Sequence, residues 1–351
     1  MAAPLRFRAG PAARHIIERD GLQPEGVAAM AGAAGGPKWL VLAAMDKFLF
    51  GEWLRPRKQS LPLVGSSIGS WRFAAAATAD PIAAISRLER LYVEQCYSGK
   101  PSLREVTETA SSLLDELLGD SGASEILNHP WARMHVVTVL CRGWTGLDAK
   151  LPMGLGFGAA TLLNACKRDW LALFLARHVF VDRRAGSLPE SAFPGFATKL
   201  LPLVDNNLQQ ALLASGSIPF VLEAIEMPGE PGYYRDGGMI DYHMDLPLSR
   251  DGLVLMPHFS KTLLPGWLDK FRASRAFQHG DNTLVIHPSD EWIATLPNRK
   301  IPDRSDFKRY RSDDAARFRD WYTVVGRSQE LADFLEERLV RQDLADYIEP
   351  L

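Results

Sequence analysis

The sequence predicts one α/β domain whose mostly parallel sheet is covered on both faces by helices. Three observations carry this reading. Short apolar runs without polar alternation have the look of buried strands. Helix-periodic segments alternate with them along the chain. No repeat, low-complexity linker or composition break divides the 351 residues, so residues 1–351 read as a single domain.

The elements follow in order. "GVAAMAGAAGG" (26–36) is a small-residue strand breaking into a glycine turn, and "PKWLVLAAMDKFLFGEWL" follows with proline at a first helical position. "LPLVGSS" (61–67) is a short buried strand and "SWRFAAAATA" a helix close to it. Asp80 and Pro81 cap and start the next helix. Ser102 and Glu105 stand at capping-box spacing before another, which Gly119 ends. "RMHVVTVLCRG" (133–143) and "RHVFVDRR" are strand-like, with the helical run "ATLLNACKRDWLALFLA" between them. "DNNLQQALLASGSIP" is a helix, and "GYYRDGGMIDYH" is a strand that turns at its glycines. "DGLVLMP" (251–257) and "NTLVIHP" (282–288) are further buried strands. The tail, residues 305–351, is charged and helix-periodic.

Composition narrows the class. The chain is 46% hydrophobic and 23% charged with a net charge of −2, which argues against a nucleic-acid partner. Three dispersed cysteines, Cys96, Cys141 and Cys166, form no C-x-x-C pair, so a disulfide framework or zinc site is not expected and a reducing cytoplasm is. No signal peptide is read at the N-terminus. No H-E-x-x-H or other ligand cluster suggests a metal, and no cofactor motif is read. The most apolar stretch, Leu151 to Cys166, reads as a buried loop and helix, with lipid contact as the alternative. Residues 262–277 read as a basic amphipathic helix, with Leu264, Trp267, Leu268 and Phe271 on one side and Lys270, Arg272 and Arg275 largely on the other. That stripe either packs on the sheet or rests peripherally on a membrane.

The chemistry-bearing signals are three. Gly65-x-Ser67-x-Gly69 falls at a strand-to-helix change and fits a nucleophile elbow, where glycines two residues either side remove a clash across a sharp turn. Ser66 lacks that symmetric flanking. The bland alternative is a glycine turn at a helix start. Upstream, Gly35 and Gly36 bring bare N–H groups just ahead of a helix, with Lys38 adding positive charge, an arrangement suited to an oxyanion. Downstream, Asp236-Gly237-Gly238 ends a strand. It is either an ordinary Asp-Gly turn or a general base that its glycines allow close to the serine.

Taken in chain order, from about Gly26 to Leu246, these signals resemble the patatin-like phospholipase family. "ASGSIPF" (214–220) is similar to the family's pattern as well. The resemblance implies a three-layer α/β/α fold and a Ser–Asp dyad, with Ser67 as nucleophile and Asp236 as base. It also implies an oxyanion hole from Gly35 and Gly36, with Lys38 in the family's basic position. The loop departs from the family at Ala34 and Trp39, and residues beyond about 260 have no counterpart. Ala34 retains an N–H for the hole; Trp39 either narrows the mouth or packs inward.

The expectation is a cytoplasmic serine hydrolase of phospholipase A or lysophospholipase type, cleaving fatty-acyl esters of phospholipids, lysophospholipids or neutral lipids through an acyl-enzyme, without metal or cofactor. An acyltransferase or thioesterase using the same dyad, and an inert lipid-binding scaffold, are the alternatives. A competing site is a Ser–acid–His triad drawing on one of the late histidines, His287 first, with His243 as a site neighbour. Asp241 and Asp245 read as solvated turn residues or caps.

Overall fold

The computed structural model describes residues 3–271, 275–311 and 313–351. One sheet contains β1 (Leu5–Ala9), β2 (Val27–Gly32), β3 (Leu61–Ser66), β4 (Ala132–Cys141), β5 (Leu175–Val181), β6 (Thr198–Pro202), β7 (Ile225–Met227), β8 (Glu230–Asp236), β9 (Leu253–Pro257), β10 (Thr283–Pro288) and β11 (Ile348–Pro350). The helices are α1 (Pro11–Asp20), α2 (Ala43–Phe48), α3 (Ile68–Ala76), α4 (Pro81–Glu94), α5 (Leu103–Leu118) and α6 (Gly122–Asn128). They continue with α7 (Lys150–Cys166), α8 (Asp205–Gly216), α9 (Asp290–Ile293), α10 (Ser305–Tyr310), α11 (Asp314–Arg327) and α12 (Gln329–Arg341).

The strand order is β11-β1-β10-β9-β2-β3-β4-β5-β6, with β8 on β4 and β7 on β8. Strands β10, β9, β2, β3 and β4 run parallel, and they are the unalternated apolar runs of the sequence. β3, β9 and β10 are buried at every residue, as parallel strands covered on both faces must be. The antiparallel pairings involve β1 with β10, β4 with β5, β4 with β8 and β7 with β8. The chain is therefore a mixed α/β protein with a large, mostly parallel sheet flanked by helices.

Strands β1, β6 and β11, at or next to the sheet edges, and helix α1 are additions to the elements read from sequence. These strands are short, and their half-exposed residues give no continuous apolar run.

Two sequence expectations fail here. Residues 151–166 do not form a buried loop and helix: Lys150–Cys166 is one helix, α7, lying partly at the surface. Its outer side carries Leu151, Leu155 and Leu162, which are 75%, 53% and 72% exposed. Its inner side places Met153 and Phe157 in a cluster with Val139, Leu175 and Met239. Among the described residues of 262–277 the expected amphipathic helix does not form, and a 3-10 turn, Trp267–Phe271, stands in its place. Buried Pro265 and Gly266 precede it, and proline and glycine both oppose helix propagation. Leu268 packs on Ala160 and Leu171, so this part of the stripe faces the protein. Arg272 lies outside the described residues. Among the described residues, no helix is long and apolar enough to cross a membrane.

Candidate active site

The site forms where three strands end, and β4 is the element that assembles it. One edge of β4 is occupied by β5 along 135–141. Its other edge is shared: β3 pairs up to Ser66 opposite Val137, and β8 begins its pairing with Asp236 opposite Thr138. β8 runs against β3, so their C-terminal ends meet head-on at consecutive residues of β4. Ser67 and Asp236 are the residues at those ends.

Ser67 has φ 54° and ψ −133°, a conformation that costs a non-glycine residue about 1–3 kcal/mol. The turn holds it there. The Ser67 N–H donates to Ser215 Oγ at 2.8 Å, and that hydroxyl donates to the Val137 carbonyl at 2.7 Å and lies 3.1 Å from Ser70 Oγ. Ser215, on α8, was not singled out from sequence, although the stretch "ASGSIPF" was. The flanking glycines act sterically, as the elbow pattern requires. A Cβ on Gly65 would lie 2.6 Å from Ser70 N, and one on Gly69 only 2.1 Å from the Gly32 carbonyl oxygen. Ser66 is structural: its hydroxyl donates to the Asp241 carbonyl at 3.0 Å.

Asp236 is buried and accepts a hydrogen bond from Gly238 N at 2.7 Å, and the Ser67 side chain stands near enough to favour its charged form. Burial pushes its carboxyl up to about 6, against the opposing pull of the Ser67 side chain, the Gly238 N–H, Arg304 and Lys270. The two following glycines are again a matter of space. A Cβ on Gly237 would sit 2.3 Å from the Val137 carbonyl oxygen, and one on Gly238 2.8 Å from Ala34 Cβ.

The loop after β2 faces this pair. Gly35 opens the 3-10 turn Gly36–Leu42. Gly36 has φ +57°, which favours glycine, whereas Gly35 (φ −176°) is kept small by the Phe259 ring, 2.4 Å from where a Cβ would stand. Among the described residues, neither N–H donates to an acceptor outside that turn. Ala34 differs from expectation: its N–H is already donated to the Tyr242 carbonyl at 2.8 Å, leaving Gly35 and Gly36 as the loop's open donors. Trp39 is fully buried and meets Tyr92 edge-on with centroids 6.0 Å apart. It packs inward and does not narrow the mouth.

A cavity of about 260 Å³ opens beside Asp236. Gly35, Lys38, Tyr242, Lys270, Asp303 and Arg304 line its polar part; Ile218, Pro219, Met239 and Trp267 line its apolar part. Ser67 is 3% exposed and does not itself line this cavity, whereas Asp236 does. Burial lowers the Lys38 ammonium, which stands 5.1 Å from the centre of the Phe259 ring.

The histidines stay apart from the serine. His287 is on β10, with β9 and β2 between it and β3, and its Nδ1 pairs with the Pro288 carbonyl at 2.9 Å. His243 accepts from Leu264 N at 2.9 Å and packs against His258; burial drives it well below the usual imidazole range. Neither is in place as a base. Asp241 is not a solvated turn residue: it is 2% exposed and paired to buried Arg177 through two hydrogen bonds of 2.6 and 2.7 Å. Asp245 caps, accepting from Gln278 N and His279 N at 2.9 and 2.7 Å. Among the described residues, no group of three metal-ligating side chains gathers.

No protein-family model matches the chain, and no curated protein matches it.

Proposed function

We propose that the protein is a serine-dependent acyl hydrolase of patatin-like type acting on lipid acyl esters. The observation that carries this is the strained Ser67 beside a buried Asp236 carboxyl that desolvation raises to about 6. A carboxylate is a weak base toward a hydroxyl in water, and desolvation is what brings its basicity toward neutrality.

In the first half-reaction Ser67 Oγ attacks the ester carbonyl carbon while its proton passes to Asp236. The oxyanion is held by the Gly35 and Gly36 N–H groups and by the N-terminal end of α3. The intermediate collapses to acyl-Ser67, and the departing alcohol takes the proton from Asp236. Water then attacks the acyl group, giving its proton to Asp236; collapse returns that proton to Ser67 Oγ and frees the carboxylic acid. The apolar wall of Ile218, Pro219, Met239 and Trp267 suits a hydrocarbon neighbour to the ester.

Acyl transfer to another acceptor uses the same acyl-enzyme. The 3% exposure of Ser67 favours that branch by limiting water at the acyl group. Labelling with a fluorophosphonate, with the adduct mapped in wild type, Ser67→Ala and Asp236→Asn, tests the dyad. An adduct on Ser67 that weakens in Asp236→Asn supports it, and a folded wild type that takes no label overturns it. Products formed with and without an added alcohol separate hydrolysis from transfer.

A further inference from the structure

Helix α7 turns an apolar face to solvent that the candidate site does not use. Leu151, Gly154, Leu155, Gly158, Ala159 and Leu162 are all exposed. They recur at i, i+3, i+4, i+7, i+8 and i+11, so they form one stripe along the helix. No charged residue falls between Leu151 and Cys166 to interrupt it. The glycines stand open: a Cβ on Gly154 or on Gly158 would meet nothing within 4 Å. The turns Gly143–Gly146 and Arg168–Leu173 pack beside α7 and expose Trp144, Trp170 and Leu173. Most of the exposed large hydrophobic side chains among the described residues gather in this one region. Monomeric proteins rarely leave a contiguous apolar patch of more than a few hundred Å² open to water, so the region points to a partner.

The composition of the stripe says what covers it. A helix that rests on a bilayer presents bulky Leu, Phe or Trp on one face and Lys or Arg along the other. Here half the outward positions are glycine or alanine, which offer lipid little side-chain area. The opposite side is buried in protein through Met153 and Phe157. Small residues four apart suit another helix instead, because they let two backbones approach closely.

The stripe also complements a reversed copy of itself. About a two-fold axis at Gly158, an antiparallel α7 sets Leu162 over Gly154 and Leu151 over Ala165, large side chains on small ones. The ends match as well. Asp148 and Lys150 precede the stripe, and Lys167 and Asp169 follow it. Asp148 is taken by Arg235 of its own copy, whereas Asp169 is exposed, 3.3 Å from Lys167. Reversal therefore brings Lys150 of one copy towards Asp169 of the other, twice over. A parallel pairing would set Lys150 against Lys150 and Lys167 against Lys167. Opposed helix dipoles favour reversal too.

We propose that the protein forms a two-fold dimer in which α7 packs antiparallel on the α7 of a second copy, centred at Gly158. An isologous interface of this kind closes on itself and needs only one patch. The helix has 17 residues, so the stripe runs for about 25 Å. A specific dimer takes roughly 800 Å² from each partner; the stripe supplies the centre of that area, and Trp144, Trp170 and Leu173 add to it from either side. The dimer does not rest on the hydrolase reading, yet it bears on the cavity. Met153 and Phe157, on the inner side of the paired helix, pack with Met239, which lines the cavity's apolar wall. Pairing holds in place the helix that backs this wall.

Sedimentation velocity of the full chain over a hundredfold range of concentration tests the dimer. A species of twice the chain mass is expected, and Leu155→Lys and Leu162→Lys should each weaken association at least tenfold. Val340→Lys, at an exposed position of α12, should leave it unchanged. Circular dichroism and melting establish that each variant is folded. A wild type that stays monomeric, or a dimer indifferent to both lysines, overturns the proposal.

Disulfide trapping reads the register, in a Cys96→Ser, Cys166→Ser background that retains only buried Cys141. Gly158→Cys lies on the axis and should form a covalent dimer under mild oxidation. It should do so at least tenfold faster than Gly154→Cys, which faces Leu162 of the partner subunit. Equal crosslinking at the two positions overturns the antiparallel arrangement. A monomeric wild type that binds vesicles of phosphatidylcholine and phosphatidylserine, and loses them in Leu155→Lys, makes a bilayer the occupant and likewise overturns the dimer.

Discussion

Ser67 and Asp236 are neighbours because the strands that end in them dock on consecutive residues of one edge of β4, Val137 and Thr138. Their contact is a property of sheet register, and the substitutions most informative about it lie at the register points.

Gly237→Ala should be among the most damaging single-methyl additions in the chain. Its Cβ would stand 2.3 Å from the Val137 carbonyl oxygen, and backbone cannot yield as a flexible side chain does. Overpacking of this kind costs about 1–3 kcal/mol, and the displaced Asp236 loses Ser67. Chemical denaturation and fluorophosphonate labelling should both fall, whereas Gly154→Ala, in open space on α7, should leave both intact.

Ser215→Ala removes the acceptor of the Ser67 N–H and leaves that buried donor without it. The expected loss is about 1–3 kcal/mol. Labelling of Ser67 should slow because the elbow relaxes from its left-handed conformation. Ser70→Ala shares the same hydroxyl contact, so a double-mutant cycle should give a non-additive energy.

On the proposed dyad mechanism, Asp236 sets the acid limb of the pH profile. As the base it works only when ionised, so kcat/KM should rise as pH increases through about 6. Lys270 and Arg304 both pull this carboxyl downward; removing either charge should move the limb to higher pH. Asp236→Asn should lower kcat/KM by about 10²–10⁴-fold.

The same carboxyl works against stability. Its folded value, about 6, is above the ordinary aspartate value of 3.8. The folded state therefore binds the proton more tightly, and stability contributed by the neutral form is lost as pH rises from 3.8 through 6. At pH 7.5 Asp236→Asn should accordingly be more stable than wild type, by an amount on the order of 2–3 kcal/mol. The gain should shrink steadily below pH 6. Melting temperatures across pH 4 to 8 check this, and a destabilised variant at pH 7.5 would count against a buried, raised carboxyl.

The strands that were legible in sequence are those whose burial is complete. "LPLVGSS", "DGLVLMP" and "NTLVIHP" announce β3, β9 and β10 because both faces are covered and no polar residue interrupts them. Ser67, Asp236 and the glycine loop were equally readable, since each carries its small neighbours with it. What escaped was whatever depends on distant partners. Asp241 looks like a turn residue until Arg177, 64 positions away, is seen beside it. Ser215 meets the Ser67 N–H, and Lys270 and Arg304 come to line the cavity beside Asp236, only once distant segments of the chain have folded together. The 262–277 stripe had helical spacing, but Pro265 and Gly266 prevailed over it.

Because β4 presents adjacent berths to β3 and β8, the distance along the chain between Ser67 and Asp236 is irrelevant to how far apart they stand in space. Material inserted after β4 and before β8 changes the route between them and leaves the berths where they are. Helix α7 and its surroundings form such a detour, leaving β4 at Cys141 and coming back to it as β5. Segments of this kind can be lengthened, shortened or exchanged during divergence, reshaping what surrounds the serine while its partner remains opposite Thr138. A register slip within β4, by contrast, would separate the two at a stroke.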